Sequence, residues 1–188
     1  MAYLATDYGG LLGTPGFSDM LLNNHFTLYQ GYVNNTNKLI ELLVAMLKDG
    51  RAGTPEYAEI KRRVGFEFNG MRLHELYFGN LGGKQLSSNK AAKLVEDFGS
   101  YEEWQKDFKA TGMMRGIGWV ILYKDNISGK LFNQWINEHE SGHLAGCLPL
   151  LVMDVFEHAF ISDYGLKRAA YIDAFFSSIN WDVVEGRL

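Results

Sequence analysis

From Leu21 to Met46, apolar residues including Leu22, Leu28, Tyr32, Leu39 and Leu43 recur at helical spacing, which predicts one long amphipathic helix. Ser18 offers a side-chain oxygen to its first turn, and Asp49-Gly50 ends it. A second helix is predicted from Thr54-Pro55, a capping residue followed by proline at the first helical position, towards Phe78. Gly65 and Gly70 weaken its interior and leave room for close packing or for a site. Two long helices with a short link predict an antiparallel hairpin. Residues 1–17, glycine-rich and carrying Pro15, read as an irregular arm.

The pattern changes after Gly79–Ser88, a break rich in Gly, Ser and Asn. A short helix follows over Lys90–Asp97, and Ser100 with Glu103 forms a capping box for the next. Gly118–Tyr123 is β-like, Asp125–Gly129 supplies a turn, and Lys130–Ile136 reads as the returning strand. Leu148–Met153 is a third, buried strand. Asp154–Asp163 has helical spacing, with further helices around Lys167–Ser178 and after Asn180. The class is α+β: a helical hairpin, then a three-stranded antiparallel sheet surrounded by helices. The expected division is an N-terminal domain, residues 1–84, and a C-terminal domain, residues 85–188.

Composition narrows the function. With 47% hydrophobic and 14% aromatic residues in 188, the chain can fill a core. Its charge is −4 without any block of Lys and Arg, which argues against nucleic acid or an acidic membrane as partner. An anionic substrate stays open, because the field at a site can oppose the net charge. A single cysteine, Cys147, excludes an intrachain disulfide and a cysteine-based zinc site. Met1–Asp7 has neither the positive region nor the apolar run of a signal peptide, and no apolar run is long enough for a membrane span. The expectation is a soluble cytoplasmic protein.

Five histidines are available: His25, His74, His139, His143 and His158. Asp154 and His158 lie four residues apart where an apolar strand gives way to predicted helix, flanked by Val152, Met153, Val155 and Phe156. A carboxylate and an imidazole there can be a pair of metal ligands or a buried Asp–His hydrogen bond. If the two long helices pair antiparallel, His25 and His74 can fall at one level of the hairpin. Three imidazoles and one carboxylate suit iron or manganese; zinc accepts the same donors but cannot change oxidation state.

Asp154-Val155-Phe156-Glu157-His158-Ala159-Phe160 resembles the D-x-W-E-H-A-Y signature of the iron/manganese superoxide dismutase family, with Phe156 in place of tryptophan. Tyr32–Asn37 is similar to the family's Y-V-N-N-x-N, Gly116–Trp119 to its G-S-G-W, and Ile179–Asp182 matches near the C-terminus. These blocks stand in family order. The resemblance implies a mononuclear site with His25, His74, Asp154 and His158 as ligands. It implies one iron, ahead of manganese, per subunit. The implied reaction oxidises one superoxide to dioxygen and reduces a second to hydrogen peroxide as the metal cycles between M(III) and M(II), with metal-bound solvent as proton source. Tyr32 resembles the family's active-site tyrosine. His139 stands where some iron-type members have a histidine that tunes the metal without binding it. Glu157 matches a glutamate that reaches the partner subunit, which implies a homodimer or a tetramer.

Three departures mark this chain. The step from His25 to Tyr32 is one residue shorter than the family's, so strict register would put Asn24 at the ligand position. His25 is the expected ligand if a π-bulge usual in the first helix is absent here. Gly70 cannot supply a solvent-orienting glutamine from the second helix. Tyr29 and Ile161 replace two residues that usually meet at the dimer interface, so that gateway is expected to be rebuilt. His143 has no counterpart and is expected at solvent or an interface. Two other readings compete with the enzyme: a metal-binding family member without fast turnover that serves a structural or interaction role, and a helical binding module without metal.

Overall fold

The computed structural model describes residues 2–83 and 92–188. The expected boundary between residues 84 and 85 lies outside them, as does the start of the helix expected from Lys90.

Helix α1 spans Asp19–Lys48 and α2 spans Pro55–Gly79. Both begin as their capping residues dictate: Ser18 accepts the Leu21 N–H and Thr54 accepts the Tyr57 N–H. Along α1 the residues Leu22, His25, Tyr29, Val33 and Thr36 share one buried face. Along the seam His25 meets Phe78, Tyr29 bonds Glu75, Tyr32 lies against Gly70 and Asn35 bonds Glu67, a descending order that makes the hairpin antiparallel. An arm runs beside it: Asn37 exchanges two hydrogen bonds with the backbone of Tyr3, and Tyr8 donates to the Glu75 carbonyl.

Helices α3, Ala92–Phe98, and α4, Tyr101–Gly112, precede strand β1, Gly118–Asp125. Strands β2, Leu131–Asn137, and β3, Cys147–Asp154, flank β1 on either side in an antiparallel sheet of order β2-β1-β3. Trp119 pairs with Ile136 on one side and Asp154 on the other, so the end of β3 lies beside the start of β1. Helices α5, Ile161–Tyr164, α6, Arg168–Ser177, and α7, Trp181–Gly186, complete the fold. Ser18 and Asp163 share two hydrogen bonds of 2.7 Å, which tie α5 to the start of α1. Among the described residues, no helix is long and apolar enough to cross a membrane.

The expected helix over Asp154–Asp163 is not present as such. Asp154 closes β3, Glu157–Ala159 form a single 3₁₀ turn, and α5 is one short turn. The reason is local: Asp154 Oδ1 accepts the Phe156 N–H at 2.8 Å, a side-chain turn that competes with helical hydrogen bonding.

Candidate metal centre

Asp154 Oδ2 is the point on which three imidazoles converge. Nε2 of His25 and Nε2 of His158 each lie 3.2 Å from it, and Nε2 of His74 lies 3.7 Å away. One donor atom from each of the four residues falls within 4.8 Å of the other three. His25 comes from α1, His74 from α2, Asp154 from the end of β3 and His158 from the 3₁₀ turn. Three of the four are buried; the His158 side chain keeps 29% of its surface. The turn at Phe156 thus does what helical spacing was expected to do, returning His158 to Asp154.

The ring of His74 is fixed by its other nitrogen. Nδ1 lies 2.5 Å from the Gly70 carbonyl, which can only accept, so the proton sits on Nδ1 and Nε2 presents a lone pair. That Nε2 is buried and has no hydrogen-bond partner among the described residues. A buried acceptor left open beside a carboxylate and two further imidazoles fits a transition-metal ion. His25 Nδ1, on the far side of its ring, also lacks a partner.

Electrostatics favour the deprotonated forms of His25, His74 and Asp154. Burial pushes His25 and His74 below the usual imidazole range, although Asp154 opposes the shift. Burial alone would raise Asp154, but the imidazoles of His158 and His25 outweigh it and hold the carboxyl well below the usual carboxylate range. Neutral imidazoles and an ionised carboxylate are the forms that bind metal.

Beside this cluster His139 is fully buried, and both its ring nitrogens are used. Trp119 donates from Nε1 to Nδ1 at 3.0 Å, so the neutral ring carries its proton on Nε2, 2.7 Å from the Tyr32 hydroxyl. Burial pushes His139 down to about 4 and Tyr32 up to about 12, so both are uncharged near neutrality. Tyr32 accepts from His139 and keeps its own O–H free to donate elsewhere. The Tyr32 ring stacks on His74 with centroids 5.1 Å apart.

A family model for the C-terminal domain of iron/manganese superoxide dismutases matches residues 86–187. The chain belongs to the iron/manganese superoxide dismutase family. It is 40% identical over 180 residues to the iron superoxide dismutase of Aquifex pyrophilus, covering 92% of this chain and 84% of that one. It is 37% identical over 172 residues to manganese superoxide dismutase 2 of Haloferax volcanii, covering 89% and 85%. Against the manganese superoxide dismutase of Haloarcula marismortui the identity is 36% over 183 residues, covering 95% and 88%.

Where this member of the superoxide dismutase family departs from the pattern, the geometry is specific. Helix α1 is α-helical throughout, His25 faces the cluster and Asn24 is exposed. Tyr29 is buried: its hydroxyl donates to Glu75 Oε1 at 2.9 Å and accepts the Thr6 N–H at 3.0 Å. The position thus serves the arm and the hairpin, while Glu157, which opens the 3₁₀ turn, and Ile161, which follows it, are exposed.

His143 is exposed, as expected, but its ring is not idle. Its Nε2–H donates to the His139 carbonyl at 3.0 Å, which leaves Nδ1 to accept from the Tyr123 hydroxyl at 2.6 Å. It therefore ties the loop carrying His139 to β1. Nothing in the local sequence signals this, because Tyr123 and His143 meet only across the sheet.

Proposed function

We propose that the chain converts superoxide to dioxygen and hydrogen peroxide at a single metal ion held by His25, His74, Asp154 and His158. The observation that carries this reading is the convergence of three imidazole Nε2 atoms on one ionised, buried carboxylate. Iron or manganese bound there would supply the redox chemistry, accepting an electron from one superoxide and passing it to another.

The chain's own residues do the rest. His74 is held to the Gly70 carbonyl, which fixes the tautomer that offers Nε2. The rings of Phe78, Trp119 and Phe156 stand about the cluster at 4.9 Å from His25, 5.0 Å from His74 and 5.2 Å from His158. Apolar walls of this kind limit water and strengthen charge interactions inside. Tyr32 holds a proton at its hydroxyl, with His139 donating to the oxygen so that the O–H points away from the ring of His139. His139 acts through Tyr32, because a direct bond from its ring to anything in the cage would displace Trp119 or Tyr32.

The finer reading is iron, one ion per subunit, in a cytoplasmic homodimer or tetramer with Glu157 at the interface. Histidine at position 139 supports iron through the family resemblance, and the exposure of Glu157 next to His158 supports the interface. The proposal includes the division into residues 1–84 and 85–188, which the match over 86–187 supports.

Elemental analysis of the purified protein, with superoxide consumption measured after reconstitution with each metal, tests this reading. Turnover with bound iron is the expected result. Bound metal without turnover would favour a structural role, and a well-folded protein with no metal would end the proposal.

A further inference from the structure

Beside the main chain of Asp154, two phenols are buried that the proposed reaction does not use. Tyr171 of α6 and Tyr77 of α2 are both inaccessible to solvent. The Tyr171 hydroxyl lies 2.6 Å from the Asp154 main-chain carbonyl and 3.2 Å from the Tyr77 hydroxyl. A carbonyl only accepts, so Tyr171 donates to Asp154, and its oxygen receives the Tyr77 O–H. The chain of donors therefore has one direction: Tyr77 to Tyr171 to Asp154. Each bond in such a series polarises the next in a low-dielectric interior.

We propose that Tyr171, backed by Tyr77, is a positioning residue that fixes Asp154 in the metal cage through its main-chain carbonyl. This rests on the four-donor reading of the site. Strand β3 is an edge strand, and Tyr171 takes a carbonyl at its end that no further strand could take. The opposite side of Asp154 is pinned through Oδ1 by the Phe156 N–H, so main chain and carboxylate are held independently. Neither phenol can swing. Tyr171 is stacked on Phe160 at 5.4 Å and met edge-on by Phe17 at 6.2 Å. Tyr77 lies almost parallel to Phe175 at 6.0 Å and is also packed by the rings of His25 at 5.3 Å and Phe78 at 5.4 Å. Burial raises both phenols above the usual tyrosine range, so they remain donors. The pair also crosses the molecule. Tyr77 belongs to the hairpin that carries His25 and His74, and Tyr171 holds the strand that carries Asp154.

The test uses the folded protein loaded with iron and, separately, with manganese, then challenged with a chelator. Tyr171→Phe should release metal about tenfold faster than the wild type, in line with the usual effect of removing an outer-shell partner. The absorption bands of the metal still bound should shift, a change that a purely structural role would not produce. Tyr77→Phe should speed release less, and should add nothing in a Tyr171→Phe background, since it acts only through Tyr171. Wild-type release from Tyr171→Phe, or full additivity in the double variant, would overturn the proposal. If Tyr171→Phe does not fold, Tyr77→Phe decides alone: release at the wild-type rate overturns it. A wild-type protein that retains neither metal would instead bring down the four-donor reading itself, and this inference with it.

Discussion

A β-carbon placed on Gly70 would lie 2.5 Å from Tyr32 Cδ1, so the phenol ring rests directly on the backbone of α2 one turn before His74. The absence of a side chain at residue 70 is what lets Tyr32 stack on His74 and reach His139. Gly70→Ala should push the ring off this seat and weaken the 2.7 Å contact with His139. Overpacking costs about 1–3 kcal/mol, partly offset by about 1 kcal/mol of helix propensity. Urea unfolding should therefore show a small loss of stability, while superoxide turnover falls and metal content holds. Undiminished turnover would mean that Tyr32 is not needed where it stands.

The shortened step between His25 and Tyr32 gives a direct comparison of neighbours. Asn24→Ala should retain metal at the wild-type level, because its side chain is exposed, whereas His25→Ala should bind metal weakly. Elemental analysis of the two variants decides between the registers.

His74→Ala should abolish metal retention, since it removes a buried donor whose tautomer is already set. His139→Ala should keep the metal and change activity, because its two ring nitrogens are engaged by Trp119 and Tyr32. An empty site in the second variant would place His139 among the ligands.

Metal removal should cost stability. An ion that binds only the folded state contributes about 2.7 kcal/mol when present at 100 times its Kd. Chelated protein should unfold at lower urea concentration and recover its midpoint when iron or manganese is returned. Equal midpoints with and without metal would show that the cage does not favour the ion.

The hairpin was legible in the sequence because its signals are local. Ser18, Thr54 and Pro55 mark helix starts, and apolar spacing marks the faces. The sheet was legible for the same reason, its strands bounded by Gly118 and Asp125–Gly129. The helix expected after Asp154 failed because its side chain bonds the Phe156 N–H, a choice that spacing does not reveal. Proximity of His25, His74, Asp154 and His158 followed from the family resemblance more than from periodicity. The bonds made by Tyr171 and His143 could not be read. Tyr171 meets the Asp154 carbonyl and His143 meets the Tyr123 hydroxyl only through tertiary packing, which leaves no local pattern to read.

Arg187 is another residue of this kind. Its guanidinium donates to Asn80 Oδ1 at 2.6 Å and to the Leu150 carbonyl at 2.7 Å, while Asn80 donates to the Val152 carbonyl at 2.6 Å. Arg187→Ala should destabilise the fold by about 2–4 kcal/mol through lost charged hydrogen bonds and unsatisfied acceptors. A denaturation midpoint unchanged from wild type would show that water replaces these bonds without cost.

The four donors are shared between two kinds of scaffold, two on long helices and two where a strand leaves the sheet. Neither scaffold alone carries enough of them to grip an ion. A slight slip of the hairpin along the sheet would alter distances between the pairs while sparing those within each pair. On the proposed coordination, strain introduced far away, at the seam between helices and sheet, should register first as loosened metal.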